Sequence, residues 1–277
     1  MTATTTTAPR VAAPIIKGRT PPAYVLSDAL VMTKRNLLRY VRLPNLLVFS
    51  TIQPVMFVLL FVYVFGGALT QTLPKGVSYK DFLMPGIFVQ TVIFGSVQTG
   101  VGLSDDLAKG MIDRFRSLPM ARSAVLAGRT LSDTVRNVFV VLLITAVGLA
   151  IGFRFHGTFI ESIAALGLAV LFGLSFSWIS AFTGMSVRDP EAAQAAGFIW
   201  IFPLVFASSA FVPIYTFPKW LQAVARNNPI THVINSIRAL VLGHLPVWHS
   251  LWLALAWIFA ILLLFVPLSV NRYRQVR

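Results

Sequence analysis

Apolar runs separated by short polar stretches set the pattern of this chain. Leu46–Gly67, Phe82–Leu103, Ala124–Phe153, Ile160–Gly184, Gln194–Val212 and Ser250–Val270 are each near the length a helix needs to cross a bilayer core. Pro54 is expected to kink the first of these. The third begins with Arg129, Asp133 and Arg136 at helical spacing, so it reads as a long helix emerging from the interface. Its Gly148 and Gly152 form a small-xxx-small pair suited to close helix contact. Three further stretches have their own periodicity. Tyr24–Val41 reads as an amphipathic helix, with Leu26, Leu30, Thr33, Leu37 and Val41 on one side and Lys34, Arg35, Arg39 and Arg42 on the other. From Asp105 to Leu118, the residues Leu107, Met111, Phe115 and Leu118 continue a stripe begun at Leu103. Charged residues cover the rest, and Pro119 stops the helix. Pro213–Gly243 is apolar but broken by prolines. It reads as two short helices, Pro218–Arg226 and Pro229–Leu242, dipping back toward the membrane; an ordinary extracytoplasmic loop is the competing reading.

Composition turns this pattern into a class. Of 277 residues, 56% are apolar and only 12% charged, against roughly 25% charged in an average soluble domain. The chain is therefore an all-α membrane protein with six transmembrane helices. Residues 1–22 are Thr-, Ala- and Pro-rich and are expected to be a disordered tail; residues 23–277 form one transmembrane domain. The absence of cysteine excludes disulfides and thiolate chemistry. The net charge of +14 comes from basic residues clustered at the ends of apolar runs. That is the pattern of topology signals and lipid contacts, not of a nucleic-acid surface. Six spans put both termini on one side. That side holds 17 of the 23 Lys and Arg residues and the other holds 6, so both termini and the Asp105 stretch are expected in the cytoplasm.

The chemistry is notable for what it lacks. There is no G-x-x-x-x-G-K-[ST] phosphate loop, no H-E-x-x-H and no G-x-S-x-G, so neither an ATPase nor a hydrolase is legible. His156, His232, His244 and His249 fall at or beyond span ends. Each of the nine acidic residues reads as lying in a tail, in a loop or near a span end, which weighs against a proton-coupled carrier. The second span is unusual, because Gln90, Thr91, Ser96, Gln98 and Thr99 are too polar for a lipid-facing side. It should face another helix or a pathway.

The run KGMIDRFRSLPMARSAVLAGR, Lys109–Arg129, resembles the cytoplasmic signature of ABC-2 type membrane subunits. It is most similar to the daunorubicin-resistance (DrrB-like) permeases. FVYVFGGAL (Phe61–Leu69), FLMPGIFVQT (Phe82–Thr91), SFSWISAFTG (Ser175–Gly184) and NPITHVINSIRAL (Asn228–Leu240) extend the likeness over nearly everything after the first 20 or so residues. The resemblance implies an ABC-2, type V exporter-like architecture: an N-terminal interfacial helix, a cytoplasmic coupling helix and extracellular re-entrant helices. It implies a permease in the bacterial cytoplasmic (inner) membrane, with two copies of a separate ABC ATPase and a second permease, identical or paralogous. This chain would bind no cofactor; ATP and Mg would sit on the partner ATPase. The second and fifth spans would face each other across the dimer axis.

The expected activity is ATP-driven export of a hydrophobic or amphipathic small molecule, with membrane lipids as surroundings and no enzymatic step on this chain. Leu107, Met111 and Phe115 would supply an apolar face for the ATPase, and Asp113, Arg114 and Arg116 would set register at its rim. Gln90, Phe94, Gln98, Phe198, Phe202 and Phe206 offer the mix of apolar surface and few polar groups expected of a cargo wall. Ordinary packing by aromatics and amides is the competing reading of those six. An ATP-independent channel or secondary carrier is the alternative function, and a membrane scaffold is a third.

Overall fold

The molecule, a computed structural model, is described over residues 22–42, 44–73, 77–112, 114, 122–187, 189–243 and 247–275. Among these residues the regular structure is entirely helical. Five stretches are long and apolar enough to cross a membrane: Ser50–Thr70, Tyr79–Ala108, Ser123–Ala150, Phe159–Ser186 and Trp248–Gln275.

Helix α1 (Pro22–Arg42) matches the amphipathic pattern, but its faces are more finely divided than periodicity suggested. Ala29, Met32, Thr33 and Asn36 are buried, while Leu26, Leu30, Val31 and Leu38 are exposed. The protein-facing side is thus small or polar apart from Met32, and most of the large aliphatic side chains are left for lipid. The tail expected over residues 1–22 lies outside the described residues except for Pro22, which opens α1. Helix α2 (Pro44–Leu59) runs on past Pro54 into a π-helical stretch, Leu60–Phe65, and then α3 (Gly66–Thr70).

Helix α4 (Tyr79–Ala108) is the centre of the bundle and is buried along most of its length. It packs on α5 (Arg122–Ala150), α6 (Phe159–Ser186) and α7 (Pro190–Phe206). Of the five polar residues in the second span, Gln90, Thr91, Ser96 and Thr99 are buried as expected, while Gln98 is exposed. The crossing with α6 depends on two glycines. A Cβ on Gly184 would collide with the Gly100 carbonyl oxygen, so only glycine lets the backbones meet. Of the Gly148–Gly152 pair, Gly148 lies close against Met84 of α4, but Gly152 is outside the helix. α5 ends at Ala150, and Gly152 takes a left-handed φ of 98° in the turn beyond, acting as a terminator.

The fifth apolar run departs from expectation. The apolar pattern predicts a span over 194–212, yet α7 covers only 17 residues, about 25 Å at 1.5 Å per residue. Asp189 caps its start, accepting from the Ala192 amide at 2.7 Å. At the other end the chain leaves the helix after Phe206. Asn228 Nδ2 donates to the carbonyls of Leu204 (2.7 Å) and Ala207 (2.9 Å), satisfying groups that helix continuation would have used. The same side chain caps the next element, its Oδ1 accepting from the Ile230 amide at 2.9 Å.

The broken segment forms α8 (Lys219–Asn227) and α9 (Pro229–Leu242), close to the two short helices read from the prolines. α9 is buried among α4, α6 and the last helix, α10 (Trp248–Gln275). Its Arg238 donates to the Phe82 and Ser209 carbonyls at 3.0 and 2.9 Å and lies over the Phe82 ring. The non-helical backbone after α7 is therefore covered and bonded by protein, the condition under which such backbone survives in a bundle of this kind.

Candidate functional site

Two cavities lie beside α4. The smaller, about 70 Å³, is bounded by Phe57 of α2, Gln90, Phe94 and Gln98 of α4, Arg136 of α5 and Phe198 of α7. The larger, about 480 Å³, shares Ser50, Gln53, Gln98 and Arg136 with it. It reaches Tyr40 and Lys109 at the end of the bundle that also carries Arg35, Arg42 and Arg274. Together they form one passage from this basic end to the middle of α4. Gln90, Thr91 and Asn137, which line its inner part, each hold a buried polar atom with no hydrogen-bond partner.

Four of the six residues expected on a cargo wall, Gln90, Phe94, Gln98 and Phe198, meet at this cavity. Phe202 and Phe206 do not line it. They extend an aromatic file outward from Phe94: the Phe94–Phe202 centroids are 5.3 Å apart and Phe202–Phe206 5.6 Å. Both outer rings are exposed.

Between the cavity and α1 lies a buried ionic cluster. Asp133 is fully buried. Tyr40 donates its hydroxyl to Asp133 Oδ1 at 2.6 Å, and Thr99 donates to Oδ2 at 2.6 Å. Arg129 Nε stands 3.4 Å from the same oxygen and its Nη2 donates to the Gln98 carbonyl at 3.2 Å. Burial and the neighbouring Asp133 charge push the Tyr40 phenol up to about 12, so it stays a proton donor. The cluster ties α1, α4 and α5 together. It also corrects one reading, since Asp133 is not a solvated span-end acid. It sits about three turns inside α5, and its charge is tolerated because both oxygens are occupied by donors.

The charged stretch after α4 is also redrawn. One helix was expected over Asp105–Leu118. Instead Asp105 and Leu107 belong to the last turn of α4, which stops at Lys109–Gly110. Gly110 adopts a left-handed φ of 64°, and its amide donates to the Leu107 carbonyl at 3.0 Å, a helix-ending turn that a side chain would strain. Lys109 bridges back to Asp105 at 2.8 Å. Met111, Ile112 and Arg114 are helical again; Met111 is half-buried and Arg114 exposed. Asp113, Phe115 and Arg116 lie outside the described residues. Leu107 packs inward, and Ile112, which the stripe did not include, is buried with it. Their small apolar cluster includes Met32 of α1, Val125 of α5, Trp178 of α6 and Tyr273 of α10. The start of the segment is thereby joined to the middle of α1 and to α5, α6 and α10.

A sequence profile of the ABC-2 type transporters matches residues 28–242, most of the chain. The protein belongs to the ABC-2 type transporter family. This ABC-2 permease is 34% identical to the daunorubicin resistance ABC transporter permease protein DrrB1 of Streptomyces coeruleorubidus, over 91% of this chain and 88% of that one. It is 25% identical to the "Probable doxorubicin resistance ABC transporter permease protein DrrC" of Mycobacterium tuberculosis, over 90% of this chain and 89% of that one. The DrrB-like likeness read from the Lys109–Arg129 run is thus shown over most of the length, and the protein is a multi-pass membrane permease.

Several residues of the ABC-2 permease's passage were not read as such from the sequence. Arg129 and Arg136 fall among the basic residues expected on the cytoplasmic side, but both are buried in the bundle. Their spacing with Asp133 was visible; that it faced inward toward Tyr40 and Thr99 was not. Ser50 and Gln53 stood beside Pro54 in an apolar run and gave no periodic signal.

Proposed function

We propose that the protein is the membrane-spanning subunit of an ABC exporter that moves a hydrophobic or amphipathic compound out of the cytoplasm or inner leaflet. The energy comes from ATP, bound with Mg and hydrolysed on two copies of a separate ABC ATPase. A second permease, identical or paralogous, completes the pathway. In this reading α7 serves as a short fifth span, giving six in all. α8 and α9 close the outer end, and the basic end with both termini is cytoplasmic. Taking the buried Arg129, Arg136 and Arg238 out of the positive-inside count leaves 15 against 5, the same orientation.

The observation that carries the reading is the join between the charged segment and the passage. Ile112 is anchored in the cluster that unites α1, α5, α6 and α10, while Lys109 and Asp105, three and seven residues earlier, line the larger cavity. A push on the segment from a docked ATPase has a packed route to the cavity wall. Phe115, Met111 and Leu107 would supply apolar contact, with Asp113, Arg114 and Arg116 at the rim. Leu107 and Ile112 also hold the segment to its own permease, so Met111 and Phe115 carry more of the docking.

Affinity purification of the full chain in mild detergent, followed by an ATPase assay on what comes down, tests this. A co-purifying P-loop subunit whose hydrolysis is stimulated by the permease is the expected result. Conductance or uptake by the permease reconstituted alone would instead establish the channel or secondary-carrier reading, which the buried Asp133 keeps worth testing. For the cargo wall, a photoreactive cargo should label Phe94 or Phe198; labelling confined to lipid-facing leucines of α10 would sink that assignment.

A further inference from the structure

Arg136 stands halfway along α5 and is buried. Its Nη2 donates to the Gly95 carbonyl at 2.6 Å and to Asn137 Oδ1 at 3.2 Å, and the guanidinium lies 5.7 Å from the Tyr40 ring centre. Among the described residues no carboxylate comes within 4 Å of it. The neighbouring acid, Asp133, is already bonded by Arg129, Tyr40 and Thr99. Arg129 is also acted on by the nearby Asp106, whereas Arg136 has no carboxylate of its own in contact among the described residues. At the mouth of the passage Lys109 and Asp105 neutralise each other.

A cation kept deep inside a span without its own anion is costly, and a bare guanidinium needs more acceptors than two amide oxygens provide. Arg136 also lines both cavities, at the point where they meet. The inner cavity beside it is walled by Phe57, Phe94 and Phe198, with Phe94 and Phe198 edge to face at 5.6 Å. Planar apolar surface next to an uncompensated fork of donors is a site for a molecule with both features.

We propose that the passage selects aromatic amphiphiles with an anionic head, a carboxylate, sulfonate or phosphate, which sits at Arg136 while the ring system lies among the three phenylalanines. Amphiphilic amines are disfavoured there by the same charge. This rests on reading the passage as the cargo route.

Equilibrium dialysis against the full-length permease in nanodiscs of zwitterionic lipid, with empty discs subtracted, tests it without ATP. The probes are 4-phenylbutyrate and (4-phenylbutyl)trimethylammonium, which share a single ring suited to the small inner cavity and differ in charge. The butyrate should bind about tenfold tighter or more. Arg136→Gln, which keeps a neutral donor toward Gly95, should abolish the difference, and Arg136→Lys should retain most of it. Equal binding by the native protein, or tighter binding of the ammonium, overturns the proposal even if the Gln variant fails to fold. An unchanged preference in a folded Arg136→Gln protein overturns it too. Repeating the dialysis in discs containing phosphatidylglycerol separates the sources of the anion. Displacement of the probe assigns the site to a lipid headgroup, and its persistence to a free amphiphile; both uphold the charge selection. Butyrate bound preferentially but never moved by the assembled ATPase complex would fail the export reading alone. Export of both probes at equal rates would fail this inference alone.

Discussion

Tyr40 and Asp133, 93 residues apart in sequence, are joined by a 2.6 Å hydrogen bond that fastens the amphipathic helix α1 to the interior of α5. Removing the hydroxyl leaves a buried carboxylate one donor short, which commonly costs about 1–3 kcal/mol. Tyr40→Phe should lower the thermal midpoint of the purified permease accordingly. The pH response gives a second check. The phenol ordinarily titrates near 10, and in the fold burial, then Asp133, pushes it up to about 12. The unfolded chain therefore loses this proton first. Stability should be insensitive to Tyr40 below pH 10 and fall as pH rises from 10 toward 12. That alkaline slope should be shallower in Tyr40→Phe; an identical slope in both proteins would remove Tyr40 from the account.

Asp133→Ala should be worse than Tyr40→Phe. It strands Arg129 in the bundle, held by its bond to the Gln98 carbonyl, and breaking a buried pair in this way costs about 3–5 kcal/mol. Restoration by the double change Asp133→Ala with Arg129→Leu, read as recovered melting temperature, would show that the penalty came from the orphaned charge.

Gly184→Val should disrupt the α4–α6 crossing, because its side chain would meet the Gly100 carbonyl, backbone that cannot swing aside. Overpacking of this sort typically costs about 1–3 kcal/mol or more. Gly67→Val is a fitting control, since a Cβ there meets nothing. Equal yields of monodisperse protein from the two variants would contradict the packing described.

Asn228→Ala removes the side chain that ends α7 and begins α9 together. Loss of a helix cap alone costs roughly 0.5–2 kcal/mol, and the carbonyls of Leu204 and Ala207 lose a partner as well. Faster hydrogen exchange confined to residues 204–232 is the expected signature. Exchange unchanged there would mean the two helix ends are held by packing alone.

Phe115→Ala addresses the docking proposal. Loss of a central aromatic at an interface often costs ~2 kcal/mol or more, about a thirtyfold loss of affinity for the ATPase. The variant should insert and fold normally yet lose permease-stimulated ATP hydrolysis. Normal transport by this variant would move the docking surface elsewhere.

Much of the helix inventory was legible because bilayer crossing imposes length and apolarity that survive as plain runs. The second span's amides, the proline-split helices α8 and α9, and the family resemblance in the Lys109–Arg129 run could all be read without coordinates. The length of α7 could not. Its apolar run continues to Val212, and only the carbonyl-capping reach of Asn228, from 21 or more residues away, marks where the helix stops. The break at Gly110 was obscured for a related reason: a periodic stripe from Leu103 to Leu118 runs straight through it, and periodicity does not register a single left-handed residue.

The sequence by itself determined the helical membrane class and most of the apolar segments, since these depend on composition and on residues close in the chain. Tertiary structure alone decided which polar groups meet. Arg129, Asp133 and Arg136 follow helical spacing in the sequence, but spacing names a face and not what lies against it. Burial against Tyr40 and Thr99 consumed the carboxylate and left Arg136 at the passage, because donors from three separate helices converge on one pair of oxygens.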